Sequence, residues 1–282
     1  MKTNEIEIEK DHHFFRTLFF LIILFIILLF LYGKFLGTSG LIVKDYDIKN
    51  DNIPESFDGF KIAHFSDILY DGMNDEVFDE IIKKINDKKV DIIIFSGNLT
   101  KKRYKVDNKK YDFIVSKLKE LNSNYGKYYI SGIDDKKDPS YDTIMLNSGF
   151  ISLNDNKDII YSKNKESILL VGLDNNTSNA FLTDLLKENV PNYKIITFSE
   201  SDEFDEIKDY NFDLALSSNS LNGLINIPVI KEYFTREGSK QYIDPYYKIN
   251  STDFYISSGI GTDMINFRLF NKPSINIYNL VK

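Results

Sequence analysis

Three features of the sequence predict an α/β fold in which two mixed β-sheets pack face to face with helices outside, behind one N-terminal transmembrane helix. The first is a strand, helix, strand unit: apolar runs rich in β-branched residues at 60–65 and 90–95 flank a segment whose apolar residues recur at helical spacing. The second is the number of further short apolar runs downstream, which two packed sheets accommodate better than one. The third is an unbroken uncharged run of Leu, Ile and Phe over residues 17–33, long enough to be read as a membrane helix.

Residues 1–16 are polar and charged and read as a cytoplasmic tail, and 17–36 as the anchor. Seventeen apolar residues are at the short end for a ~30 Å hydrocarbon core, but Phe14, Phe15, Phe35 and Leu36 extend the run while Arg16 and Lys34 can snorkel. The run is also long for a cleaved signal peptide, although Gly37, Thr38, Ser39 and Gly40 are small, so an uncleaved anchor is expected. Lys2, Lys10 and Arg16 on one side balance Lys34, Lys44 and Lys49 on the other and do not orient it. By analogy, a short tail and a large C-terminal domain favour a single-pass protein of the cell membrane with its domain outside the cytoplasm.

From residue 41 the segments alternate. Residues 41–48 read as an edge strand, and Pro54 and Gly59 mark the turn into the 60–65 strand. Asn74 or Asp75 can cap a helix carrying Val77, Phe78, Ile81, Ile82 and Ile85. The 90–95 run is nearly all apolar, which suits a strand covered on both faces. A second helix presents Phe113, Ile114, Leu118 and Leu121, and 125–130 returns to strand, completing βαβαβ. Downstream come a short helix at 139–147, an antiparallel pair at 159–161 and 168–173, and a helix at 180–187. Strands at 193–198 and 212–216 flank an acidic helix at 202–209, and strands at 254–257 and 275–278 close the chain. Without repeats or linkers, 41–282 is expected to be one domain.

With 43% hydrophobic residues the chain can bury a large core, and a net charge of -7 without a basic stripe excludes a nucleic-acid backbone as main partner. The absence of cysteine excludes disulfides, thiolate metal sites and Cys nucleophiles. In open α/β sheets, chemistry sits past the carboxyl ends of the strands, here at Ser66, Asp67, Gly97 and Asn98. Of three histidines, His12 and His13 precede the membrane segment; His64 lies inside a strand, where alternation points it away from Asp67's neighbours and into packing. The turn at Ser257 (SSGIG) lacks a P-loop lysine.

A series of segments carries a resemblance: IVKDYDI from Ile42, IPESFDGFKIAHFSD from Ile53, VDIIIFSGNL from Val90, YGKYYISGIDD from Tyr125, LLVGLDN from Leu169, DLALSSNSLNGLINIP from Asp213, and FYISSGIGTDMINFRLFNKPSINIYNL from Phe254. In order and wording these are similar to the calcineurin-like metallophosphoesterase family, in its membrane-anchored bacterial branch, over nearly the whole soluble part. The resemblance implies an αββα sandwich and a hydrolase of phosphate esters. Its members hold two divalent metals on Asp, His and Asn at strand ends; such a pair stabilises entering and leaving oxygens.

Against the family's motifs this chain departs at most ligand positions. Asp-x-His stands as Asp67, Ile68, Leu69, and Gly-Asp as Gly97, Asn98. Gly-Asn-His-Asp stands as Gly132, Ile133, Asp134, Asp135. His-x-Pro-Asp falls on Ser199, Glu200, Ser201, Asp202, and Gly-His-x-His on Ser218, Asn219, Ser220, Leu221. One imidazole, no thiolate and one matching carboxylate cannot build a transition-metal pair. Candidate residual contacts are Asp67, Asn98, Asp134, Asp135 and Asn219, hard oxygen donors of the kind Mg²⁺ or Ca²⁺ takes. The blander outcome has Asn98 and Asn219 satisfying each other and the backbone, the carboxylates facing water, and Leu69, Ile133 and Leu221 filling ligand positions.

The reading is a membrane-anchored pseudophosphoesterase with no catalytic residues and no cofactor, weak Mg²⁺ or Ca²⁺ binding left open. It would bind a protein partner, a lipid or an envelope polymer in an emptied cleft. The rival is a metal-dependent phosphoesterase with an altered site acting on membrane-proximal phosphate esters.

Overall fold

Alternating and all-apolar runs become two six-stranded sheets, each mixed, in a computed structural model that describes residues 2–102, 104–174, 179–187, 190–263 and 265–282. The first sheet uses β1 (Ile42–Lys49), β2 (Lys61–Phe65), β3 (Ile92–Phe95), β4 (Gly126–Tyr129), β5 (Ile151–Ser152) and β12 (Ser274–Val281). Their spatial order is β1-β12-β2-β3-β4-β5. β2 through β5 run parallel, β12 lies antiparallel to β2, and β1 pairs in parallel with β12 at the edge. The second sheet uses β6 (Asn156–Tyr161), β7 (Ser167–Gly172), β8 (Lys194–Glu200), β9 (Leu214–Ser218), β10 (Tyr246–Ile249) and β11 (Thr252–Ile256). Its order is β10-β11-β9-β8-β7-β6, parallel in the middle with an antiparallel strand at each edge.

Period-two alternation divides each strand between two cores. Ile62, Ile92, Ile94, Leu170, Ile195 and Leu214 fill the layer between the sheets. On the outer side of the first sheet, Ala63, Phe65 and Ile93 meet α2 (Glu76–Lys88), α3 (Asn108–Lys119) and α4 (Tyr141–Asn147). The second sheet's outer side, with Leu169, Ile196 and Phe254, takes α5 (Asn179–Leu185) and α6 (Phe204–Ile207). This is the αββα sandwich expected.

Local details differ from the sequence reading. Neither Asn74 nor Asp75 caps α2: Asp75 stands at the N-cap without a capping hydrogen bond, because Tyr70 and Lys110 engage its carboxylate. The acidic 202–209 helix is instead a chain of short turns around α6, ended by Asn211 at φ +52°. Phe204 and Ile207 bury there, but so short a segment gains little from helix propagation. β10 has no counterpart among the expected strands, since it is a short YYKI segment at the sheet edge, exposed or half-buried throughout, and pairing with β11 makes it.

The N-terminal run forms α1 (Lys2–Leu31), continued by a π-helical turn, Tyr32–Leu36. His13–Leu36 is long and apolar enough to cross a membrane. Its C-terminal end is seated on the domain rather than trailing from it. The Arg268 backbone N–H donates to the Gly33 carbonyl at 3.0 Å, and the Phe30 and Phe267 rings stack at 5.7 Å. A Cβ at Gly33 would strike the Phe267 ring and one at Gly37 the Arg268 carbonyl, so glycine permits the close approach.

Candidate functional site

The parallel strands of both sheets deliver their carboxyl ends to one place. Asp67 follows β2, Asn98 follows β3, Asp134 and Asp135 follow β4, and Asn219 follows β9. All five predicted cleft contacts meet there, and all are buried. The Asn98 side-chain amide donates to Asp67 Oδ1 at 2.8 Å and, more weakly, to Asn219 Oδ1 at 3.4 Å. Asp67 Oδ2 accepts from Ser66 Oγ at 2.6 Å and from the Asn219 backbone N–H at 3.1 Å. Burial raises the Asp67 carboxyl above its ordinary range, opposed by Arg236 and by these donors.

Asp135 plays a different part. Its Oδ2 accepts from the backbone N–H groups of Asn98 at 2.6 Å and Gly132 at 2.8 Å, and its Oδ1 from Leu99 at 2.8 Å. Those bonds tie the loop after β3 to the loop after β4. Burial pushes its carboxyl up to about 7, against the pull of the same three donors. Gly97 at φ +94° presses on the Gly132 backbone, where a Cβ has no room.

Backbone conformation marks the site as well. Asp67 and Leu69 have φ of +50° and +47°, and Asn219 and Leu221 repeat the pattern at +63° and +53°. Left-handed leucine costs roughly 1–2 kcal/mol per residue, so both loops are held by their surroundings. The Leu69 and Leu221 side chains are buried, and each packs where a glycine after β11, Gly261 or Gly259, carries no Cβ. Ile133 is half-buried beside Asp134.

A group absent from the sequence reading dominates the electrostatics. Arg236, 11% exposed along its side chain, reaches among Asp67, Asp134 and Asp263. Its Nη2 donates to Asp134 Oδ2, Nη1 lies 3.8 Å from Asp67 Oδ1, and Nε lies 3.6 Å from Asp263 Oδ2. Burial works against the guanidinium charge, and the carboxylates outweigh it, holding the group above its ordinary pKa.

The segment carrying Arg236 roofs the cluster. Asn219 Nδ2 donates to the Glu237 carbonyl at 2.8 Å and to Ser239 Oγ at 3.0 Å. The Asp202 carboxylate accepts from the backbone N–H groups of Lys240, Gln241 and Tyr242 at 2.8, 2.9 and 3.1 Å. Residues 199–202 thus anchor this roof: Ser199 Oγ is buried without a partner among the described residues, and the Ser199 carbonyl accepts from Ser218 Oγ at 3.2 Å. One expectation is corrected: the carboxylates do not face water, because 236–242 covers the strand ends. The asparagines do bond to each other and to backbone, the Asp134 N–H donating to Asn98 Oδ1 at 3.2 Å and Asn219 Nδ2 to the Glu237 carbonyl, and Asn98 adds its bond to Asp67. The cleft is filled.

His64 lies between the sheets with Nε2 2.7 Å from Ser96 Oγ, and burial drives its pKa down to about 3. It is a neutral core side chain. Arg268, also unforeseen, is fully buried, with burial lowering its pKa to about 10; it donates to the carbonyls of Ser258 at 2.9 Å and Gly261 at 2.6 Å. One signal could have found both arginines: only four of the chain's 35 basic residues are arginine, the residue suited to buried, multidentate pairing.

No family model matches the chain. A protein of Bacillus subtilis named uncharacterized metallophosphoesterase YkuE is 28% identical over 266 residues, covering 88% of each chain. A second from the same organism, uncharacterized metallophosphoesterase YkoQ, is 22% identical over 229 residues, covering 78% of this chain and 83% of its own. Among solved structures, Plasmodium GAP50, described as the anchor in the inner membrane complex, aligns with a TM-score of 0.44 at 11% identity over 73% of this chain and 75% of its own. The chain is thus similar, nearly end to end, to two Bacillus proteins named metallophosphoesterases, and its αββα sandwich gathers its polar residues at the strand ends.

Proposed function

We propose that the protein is a single-pass membrane protein whose domain, on the extracytoplasmic side, keeps the metallophosphoesterase scaffold and works by binding rather than by hydrolysis. The observation that carries this reading is the Arg236 guanidinium standing against Asp67 and Asp134. Two divalent ions need several anionic or imidazole donors with free lone pairs. Here Asp67 and Asp135 already accept from N–H and O–H groups on both oxygens. Asn98 is a neutral amide whose Oδ1 accepts from the Asp134 N–H at 3.2 Å. Among the described residues no group of three or more His, Cys, Asp or Glu is disposed to hold a metal. These residues do not fit a metal pair, and a fixed cation beside Asp67 would repel one.

The hydrogen-bonded cluster then serves as a structural keystone joining the two sheets, and recognition falls to the outer surface of the membrane-tethered domain. The test is metal analysis of the purified full-length protein together with hydrolysis of an activated aryl phosphodiester over added Mn²⁺. The expected result is neither stoichiometric metal nor turnover above an Asp67→Ala control. Bound metal with turnover that this substitution abolishes would replace the reading with the rival, an altered-site phosphoesterase. That rival draws on the names of the Bacillus relatives and on the convergence of Asp67, Asp134 and Asp135.

A further inference from the structure

The surface beside the seated helix end departs from ordinary soluble-protein patterning. Val229, Tyr233, Ile265 and Phe270 are 84%, 76%, 69% and 57% exposed, and Ile230 and Phe234 are exposed with them. The loops bearing them enclose a cavity of about 400 Å³ lined by Phe30, Leu224, Tyr233, Phe234, Ile265 and Phe267, with Arg236 also on its wall. Contiguous exposed apolar patches mark interaction sites. What covers this one is indicated by Phe30, which belongs to the membrane helix itself.

Helix geometry sets the depth. His13–Leu36 comprises 24 residues, which at 1.5 Å rise reach about 36 Å against a hydrocarbon core of ~30 Å. Even if the whole surplus, about four residues, emerges on the domain side, Phe30 still lies about 3 Å inside the apolar layer. Phe267 stacks on Phe30, and Arg268 bonds to Gly33, so the loop carrying Ile265 through Phe270 is drawn down with it. Tyr32 and Phe270, with ring centroids 6.1 Å apart, supply the aromatic pairing favoured at the interface. The seat at Gly33 and Gly37 leaves no slack for the domain to rise away.

We propose that this face of the domain is immersed in the bilayer interface, with Tyr233, Ile265 and Phe270 below the headgroups and lipid acyl chains entering the cavity beside Phe30. The inference rests on α1 spanning the membrane, which is part of the function proposed above. The domain is thereby docked on the bilayer, with the Arg236 segment behind the docked face.

The chain contains no tryptophan, so a single introduced one reports its own surroundings. Full-length Ile265→Trp, Tyr233→Trp, Leu24→Trp and Tyr161→Trp variants are reconstituted into phosphatidylcholine nanodiscs with brominated or unbrominated acyl chains. Leu24 lies within the span, and Tyr161 is exposed on β6 at the end of the sheets away from Asp67. All four are exposed positions, so folding is not at stake. The expected result is that the Ile265→Trp, Tyr233→Trp and Leu24→Trp proteins lose most of their tryptophan emission in brominated lipid and are blue-shifted, while Tyr161→Trp is neither. If Leu24→Trp is quenched and Ile265→Trp and Tyr233→Trp are not, the immersion is wrong and the anchor stands. Blue-shifted but unquenched emission from Ile265→Trp and Tyr233→Trp would mean that protein, a second copy or another partner, covers the face, and also overturns it. If Leu24→Trp is itself unquenched, the membrane reading and the inference fall together.

Discussion

The strand-end cluster and the face beside the helix end reverse the usual placement of polar and apolar side chains. At the strand ends, Asp67, Asn98, Asp135 and Asn219 are buried, and Arg236 is almost so. Three residues before Arg236, Tyr233 stands exposed, as do Ile265 and Phe270 in the loop between β11 and β12. Burying polar groups is tolerable only when they are paired, which the cluster achieves through bonds that cross from one sheet to the other. Exposing a broad apolar face is tolerable where the solvent is not water. The contrast teaches that polar pairing holds the strand ends together inside the domain, while the apolar surface free to interact lies beside the N-terminal helix.

The comparison can be broken most sharply at Asp135. Replacing it with Ala leaves three buried N–H groups without an acceptor and should destabilise the protein by about 4 kcal/mol, measured by urea unfolding in detergent. A loss below about 1 kcal/mol would mean that the cluster is not a keystone. Next comes Arg236→Ala, which leaves Asp67 and Asp134 buried without their countercharge and should cost about 3 kcal/mol at neutral pH. The penalty should shrink in acid, where the carboxylates protonate.

His64 sharpens the comparison through pH. Its pKa falls from 6.5 to about 3 on folding, so across that window the unfolded chain binds more protons. Stability present above pH 6.5 is therefore lost as pH falls, and His64→Gln should flatten this acid limb. Asp135 acts in the opposite sense: its pKa rises from 3.8 to about 7, and its contribution is lost as pH rises between those values. Asp135→Asn should flatten that neutral limb. The smallest effect is expected on the apolar face, where Ile265→Ser should change stability in detergent by less than about 0.5 kcal/mol. A larger loss would place Ile265 in the folded core rather than on a free surface.

Much of the fold was readable because burial on a strand or helix repeats with a short period. Ile62, Ile92 and Ile94, or Phe78, Ile81, Ile82 and Ile85, announce their element and its buried side in the order of the letters. Polar residues just past β2 and β3 could likewise be placed at one sheet edge, since parallel strands end together, whereas those past β4 and β9, the latter in the other sheet, came with the resemblance. Whether that edge lay open or closed could not be read, because Arg236 is far from Asp67 in sequence and comes from an irregular segment without periodicity. The capping of α2 failed for the same reason: Lys110, brought in by α3, competes for Asp75. The sequence by itself determined most of the helices and strands and the placement of Asp67 and Asn98 at strand ends, and the resemblance added Asp134, Asp135 and Asn219 to them. Only the tertiary structure decided that a guanidinium stands against Asp67 and Asp134 and that the N-terminal apolar helix is clamped at Gly33 and Gly37, because both depend on long-range contacts that leave no local pattern.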